Sequence, residues 1–90
     1  MLKQNPCLLG KLSGTIYDFE FVGDTLPMHT HSEMDVHITM VTRGSILARG
    51  DGWEQTLTKG NLIDWLPNQS HEFEALENDT RIVNIVKGTA

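Results

Sequence analysis

Residues 23–44 read GDTLPMHTHSEMDVHITMVTRG, and the spacing of their histidines decides the local structure. His29 and His31 are separated by one residue, a spacing that on a helix turns two side chains about 200° apart. On a strand the same spacing puts both side chains on one face, a few ångströms from each other. Only a strand therefore lets the two imidazoles share a ligand, and the β-branched Thr30 between them suits a strand.

A second alternating run starts at His37, which has Thr39 and Val41 on its face. A turn is predicted at residues 32–35, before this run. A hairpin formed there would return the His37 imidazole towards the first pair of histidines.

The last histidine, His71, begins another alternating stretch. His71, Phe73 and Ala75 fall on one face of this stretch, opposite Glu72 and Glu74. The histidine is therefore expected on the apolar face of a strand. An imidazole on an inward apolar face is costly to leave unpaired, and one metal ion satisfies several imidazoles at once.

Strands are predicted over most of the chain. Turn-forming residues recur about every 8 to 12 positions, which is typical of many short strands. Thr15, Tyr17, Phe19 and Phe21 fall on one face, opposite Asp18 and Glu20. The RGDGW stretch at 49–53 predicts a tight hairpin turn. No stretch has a sustained helical stripe of apolar residues. Strands without a helical layer must bury their apolar faces against each other, which predicts an all-β sandwich or barrel.

Length and composition predict one folded domain over residues 1–90. Hydrophobic residues make up 39% of the chain and charged residues 21%, which is too apolar for a disordered chain. The net charge of −5 has the wrong sign for binding a phosphate backbone, so no nucleic-acid partner is expected. A small core of this size would gain stability from a bound metal or a second subunit.

The chain is expected to be a cytoplasmic protein with no membrane partner. Its longest apolar runs, such as 7–9 and 85–86, are far shorter than the roughly 18 residues that span a bilayer. The single cysteine, Cys7, cannot form an internal disulfide, which fits a reducing compartment.

Two strands are predicted to carry apolar groups on both faces, over residues 36–42 and 80–87. In a lone small barrel, one of those faces would meet water. A homodimer would cover it, and the packed interior of a sandwich is an equal alternative.

The 23–44 stretch resembles the first motif of the cupin superfamily. Gly23 and, after five residues, His29 and His31 match the start of that motif, whereas His37 and Gly44 match its end. A second stretch, GNLIDWLPNQSH at 60–71, resembles the family's second motif and runs on to about residue 75.

The chain departs from the family pattern at several positions. The family normally has a glutamate where this chain has His37, and the gap from His31 is one residue longer, so Asp35 stays a rival metal ligand. In the second motif Pro67 lies one place late and Asn68 stands where a glycine is usual. Asparagine tolerates the left-handed backbone that glycine supplies, so this second change is mild.

The resemblance implies a small, single-domain jelly-roll (cupin) β-barrel that holds one divalent transition metal ion per chain. The implied ligands are His29, His31 and His71, with His37 in the place of the glutamate. Imidazole ligands suit Fe, Mn, Ni, Cu or Zn, so the sequence does not select among these metals. Structural zinc sites are usually rich in cysteine, so an all-histidine set favours an open, functional site.

Two functions follow from the resemblance. One is a metal-dependent enzyme, an oxygenase or an isomerase or lyase, that acts on a small oxygen-rich chelating substrate. The alternative is a binding or sensing module without turnover, which the short loops favour. No catalytic acid or base stands out, although Tyr17, Asp35 and Asp64 are candidates.

Overall fold

The structure of the chain is a computed structural model. It describes the backbone of residues 1–9, 12–29, 34–65 and 69–88, and the side chains of residues 1–8, 13–27, 38–65 and 69–85.

Strands dominate the described residues, as the turn spacing predicts. The nine strands there are β1 Leu2–Leu9, β2 Leu12–Phe19, β3 Thr25–His29, β4 Met34–Arg43, β5 Ser45–Gly50, β6 Trp53–Thr58, β7 Leu62–Asp64, β8 His71–Ala75 and β9 Thr80–Gly88. Over the same ranges, no helix is long and apolar enough to cross a membrane. The all-β prediction is confirmed.

The strands form two antiparallel sheets. The larger sheet has the order β1-β2-β9-β4-β7, and the smaller sheet has the order β3-β8-β5-β6. Successive strands cross between the sheets at most connections, which is the arrangement of a double-sheet jelly roll. The predicted jelly-roll fold is confirmed, with two facing sheets in place of a single closed one.

The core lies between the two sheets because each strand turns one side inward. In β8, for example, His71, Phe73 and Ala75 are buried while Glu72 and Glu74 remain partly exposed. This is the predicted period of two. The buried hydrophobic side chains are Phe19, Val41, Ile46, Ala48, Leu57, Trp65, Phe73, Ala75 and Ile82.

Tight turns join several neighbouring strands. Gly44 alone connects β4 to β5 and has a φ of 78°, a left-handed value that favours glycine. Residues 51–52 connect β5 to β6, which confirms the hairpin predicted at 49–53.

Two sequence predictions about strand limits are wrong. Phe21 does not extend β2, which ends at Phe19, and its side chain is 55% exposed. The chain turns there because an Asp24 carboxylate oxygen accepts a hydrogen bond from the Phe21 amide at 3.0 Å. Asp35 was expected in a turn, but its backbone lies in β4, where the register with β9 shifts between Met34 and Val36.

Candidate metal centre

A β-bulge places two of the four histidines opposite each other. Strands β3 and β8 are neighbours, and Leu26 pairs with Phe73. Without a shift, Met28 would then face His71, but the register shifts by one residue and His29 takes that position. Residues directly opposite each other in an antiparallel pair share a face of the sheet. The strand predicted for His29 is confirmed, and the bulge puts this residue beside His71.

The His71 ring is held in one orientation inside the protein. The side chain is 1% exposed, and Nδ1 lies 2.9 Å from the backbone oxygen of Gln69. A carbonyl oxygen only accepts hydrogen bonds, so Nδ1 carries the proton and, in the neutral ring, Nε2 carries the lone pair. Metal-binding histidines characteristically donate their other ring N–H to such a carbonyl or a carboxylate. This hydrogen bond leaves Nε2 as the lone-pair nitrogen of the neutral His71 ring.

Aromatic side chains fix the plane of the same ring. The Trp65 and His71 rings stack with centroids 4.2 Å apart and an interplanar angle of 18°. Phe73 lies near both, with centroids 5.6 Å from His71 and 5.8 Å from Trp65. Trp53 continues this aromatic wall, 5.6 Å from Trp65. These rings surround the imidazole with apolar surface, so water has little access to it.

A buried chain of hydrogen bonds connects this wall to the facing sheet. Trp65 Nε1 donates to Thr39 Oγ1 at 2.9 Å, and the Thr39 hydroxyl donates to Asn84 Oδ1 at 2.5 Å. Thr39 is fully buried and Asn84 is 4% exposed. The indole can only donate, so the Thr39 hydroxyl accepts from Trp65, and its own proton goes to Asn84 Oδ1. Sequence reasoning missed this pair, although an asparagine inside the apolar run 82–86 was a signal.

His37 occupies a position next to that polar pair along the strand. It lies in β4, two residues before Thr39, and pairs with Val86 of β9. The backbone of His37 therefore lies in the larger sheet, whereas those of His29 and His71 are neighbours in the smaller sheet.

The predicted ligand set lies mostly outside the described side chains. His31 is outside the described residues, and only the backbone is described for His29 and His37. Among the side chains that are described, no group of three or more histidine, cysteine or acidic residues could hold a metal ion. The four-histidine site therefore stays a prediction, with His71 as its described member.

Of the three candidate acids and bases from the sequence, the structure describes the side chains of two. Asp64 is exposed and pairs with the outward Ile38, so it lies on the outer face of its sheet. Tyr17 is partly buried against the hydrophobic core. Only the backbone of Asp35 is described.

The carboxylates of β8 face away from the interior. Arg49 Nη2 donates to Glu74 at 2.7 Å, and Arg49 Nε donates to Glu72 at 2.5 Å. These two carboxylates, Glu74 first, raise the pKa of the Arg49 guanidinium above its ordinary value. Both acidic groups are therefore engaged on the outer face of the smaller sheet.

The fold is that of the cupin proteins. No family model and no curated protein sequence matches the chain. Among solved structures, KdgF from a Halomonas species has a TM-score of 0.86 at 18% identity, over 99% of this chain and 80% of that one. A cupin superfamily protein from Desulfitobacterium hafniense DCB-2 has a TM-score of 0.83 at 8% identity, over 99% and 79% of the two chains. The Cupin_2 domain of an XRE family transcriptional regulator from Enterobacter cloacae has a TM-score of 0.80 at 14% identity, over 99% and 98%. The resemblance predicted from the two sequence motifs is confirmed at the level of the fold.

Proposed function

We propose that this chain is a small cupin-fold metalloprotein that binds one divalent transition metal ion through His29, His31, His37 and His71. The observation that carries the proposal is the buried His71 ring, whose Nδ1 donates to the Gln69 carbonyl and leaves the lone pair on Nε2. The register of His29 opposite His71 supports a second ligand at the same place.

The donor set defines the chemistry that the site would support. Four neutral imidazoles leave the charge of a divalent ion uncompensated, which favours an anionic or chelating oxygen ligand. A bound ion of this kind supplies Lewis acidity to such a ligand. Around it, the Trp65 and Phe73 rings exclude water, and the Thr39 hydroxyl orients the Asn84 amide. The donor set admits Fe, Mn, Ni, Cu or Zn.

The proposed activity is that of a metal-dependent enzyme, an oxygenase or an isomerase or lyase, with a small oxygen-rich chelating substrate. All-histidine sites are typical of open centres that exchange ligands, whereas closed structural zinc sites are usually rich in cysteine. The lone cysteine, Cys7, lies on edge strand β1, away from the β3 and β8 pair.

A binding or sensing module without turnover is the second candidate. The connections at Gly44 and at residues 51–52 are too short to form a lid over a substrate. The Enterobacter cloacae domain, which is of nearly the same size, is part of a transcriptional regulator. A screen of oxygen uptake and substrate loss over small diacids, diketones and sugar acids separates the two candidates. Tight binding without turnover would favour the module.

Metal analysis tests the proposal directly. After reconstitution with each of the five metals and dialysis against a weak chelator, we expect about one ion per chain. His71→Phe keeps an aromatic ring beside Trp65 and removes the ligand, so it should lose the ion and still fold. A stoichiometry near zero in the folded parent protein would reject the proposal.

A matched pair of variants decides the fourth ligand. If His37 binds the metal, His37→Ala should weaken metal affinity clearly while Asp35→Ala leaves it unchanged. The reverse result would assign the position to Asp35. His37→Glu restores the carboxylate of the family pattern and adds one negative charge, so it should weaken the binding of oxalate to the loaded protein.

A further inference from the structure

The inner face of the larger sheet carries a row of three polar side chains. Thr15 of β2 pairs with Asn84 of β9, and Asn84 pairs with Thr39 of β4. Residues that pair directly share a face of the sheet, and the burial of Asn84 and Thr39 shows that this face is the inner one. Two positions further along the same strands, Ile82 and Val41 fill the core with apolar groups. The row is therefore a polar strip beside the apolar core.

Asn84 has an open hydrogen-bond donor on its amide nitrogen. Its Oδ1 accepts from the Thr39 hydroxyl, which itself accepts from Trp65 Nε1. A carboxamide also has two N–H groups on its nitrogen, Nδ2. In the part of the chain that the structure describes, no acceptor bonds these N–H groups, although the residue is only 4% exposed. Buried amide groups almost always have a partner, so an open donor at this depth indicates a place for a ligand.

The polar row lies where the interior of the sandwich is accessible. Along β2, the inward side chains become more exposed step by step. Phe19 is fully buried, and Tyr17 and Thr15 are partly buried. Ser13, two residues further along the same face, is exposed. A small molecule can therefore enter from this end, and Asn84 Nδ2 is not sealed inside the core.

Trp65 connects this row to the proposed metal ligand on the other sheet. Its Nε1 donates to Thr39 at 2.9 Å, and its ring stacks on the His71 imidazole with centroids 4.2 Å apart. The polar row and the His71 ring are therefore separated by little more than one indole. One small molecule between the sheets would be close to both His71 and Asn84.

We propose that Asn84 Nδ2 and the Thr15 hydroxyl bind a ligand oxygen that does not coordinate the metal. This inference rests on the proposed function and narrows the ligand class of that site. The amide nitrogen can only donate, so its partner must be an acceptor such as a carboxylate or carbonyl oxygen.

The contact selects diacids over diketones. A diacid such as oxalate chelates a metal through one oxygen of each carboxylate and keeps the other two oxygens as acceptors. A diketone such as acetylacetonate uses both of its oxygens on the metal and has only methyl groups beyond them. Binding of the diketone would remove water from the Asn84 amide without replacing the hydrogen bond, which opposes binding.

Two ligands and matched variants test this contact. Parent and variant proteins are loaded with Zn(II), and titration calorimetry measures the binding of oxalate and of acetylacetonate. Asn84→Leu keeps the approximate size of the side chain and removes the donor, so it should weaken oxalate binding at least about tenfold and acetylacetonate binding by less than about twofold. Thr15→Val should weaken oxalate binding by about threefold, because Thr15 is only partly buried. Thr25→Val is the matched control, since Thr25 is exposed and pairs with the outward Glu74, and it should change neither affinity.

The ratio of the two affinities decides the outcome. Equal weakening of both ligands in Asn84→Leu, or an unchanged ratio in both variants, would overturn the inference. Circular dichroism checks the fold of each variant, and Thr15→Val decides the matter alone if Asn84→Leu does not fold. Elemental analysis after each titration should give an unchanged zinc content, which shows that neither ligand has removed the metal. A folded parent protein that takes up no metal rejects the proposed function and this inference with it, whereas metal uptake with an unchanged ratio overturns this inference alone.

Discussion

Replacing Thr39 by valine should destabilise the protein much more than the small change in shape suggests. Valine has nearly the volume of threonine but lacks the hydroxyl group. In the parent protein this hydroxyl accepts the Trp65 Nε1 hydrogen bond and donates to Asn84 Oδ1. Thr39→Val therefore removes both hydrogen bonds at a site that is fully buried.

The size of the effect follows from the Trp65 Nε1 donor and the Asn84 Oδ1 acceptor, because each loses its hydrogen bond to this hydroxyl. A buried donor or acceptor that loses its hydrogen bond costs about 1–3 kcal/mol, so two of them cost about 2–6 kcal/mol. The added valine methyl group returns up to about 0.8 kcal/mol of apolar burial. The net loss is therefore about 1–5 kcal/mol, centred near 3 kcal/mol, which is a large part of the roughly 5–15 kcal/mol that stabilises a small domain. Thr39→Ser keeps the hydroxyl and loses only a methyl group, at about 1 kcal/mol.

Urea unfolding measures this difference. With a slope near 1 kcal/mol per molar urea, the Thr39→Val midpoint should fall by about 2 M or more, against about 1 M for Thr39→Ser. A double-mutant cycle with Trp65→Phe should give a coupling energy of about 0.5–3 kcal/mol. If valine proves no more destabilising than serine, or if the coupling is zero, the hydrogen-bonded chain does not contribute as described.

Three further predictions concern a turn, an ion pair and the metal. Gly44→Ala should lower the free energy of unfolding by more than Gly52→Ala. Both glycines have a φ near 78°, so the backbone strain is similar, but only at Gly44 would a Cβ lie within 3.0 Å of the Thr80 backbone. Equal losses in urea unfolding would contradict the close approach. The Met1 amino group lowers the pKa of the Asp24 carboxyl, and Asp24 in turn raises the pKa of that amino group. Their ion pair therefore stabilises the fold fully between the ordinary pKa values of the two groups, from about pH 4 to about pH 8. It is lost as pH falls through the lowered pKa of Asp24 or rises through the raised pKa of the amino group, and Asp24→Asn should flatten the pH profile of unfolding at both ends. The melting temperature should be higher with metal than without it at neutral pH, and this gap should shrink towards pH 5 as protons compete for imidazoles with a free pKa of about 6.5. Equal melting temperatures at neutral pH would contradict a bound metal.

Local patterns allowed most of the strands to be predicted from the sequence. A period of two is a property of the strand itself, so the alternation around His71 and the spacing before His29 predict strands without knowledge of any partner. The prediction failed at Phe21, where the alternation continues but the Asp24 carboxylate bonds the Phe21 amide and turns the chain. At that position a hydrogen bond to a side chain outweighed the apolar pattern.

The site itself depends on contacts between distant parts of the chain. The one-residue bulge that brings His29 opposite His71 depends on how β3 pairs with β8, and the Thr39 and Asn84 pair joins strands 45 residues apart. Such pairings are set by packing of the whole sandwich, because register follows from which faces are buried together.

The sequence by itself determined the all-β class, the cupin resemblance and the four candidate histidines, since these rest on spacing along the chain. Only the tertiary structure decided that His71 presents Nε2 as its lone-pair nitrogen and that the apolar groups at Ile38 and Val83 face outward. Both depend on which atoms lie across the fold from one another, and spacing along the chain does not contain that information.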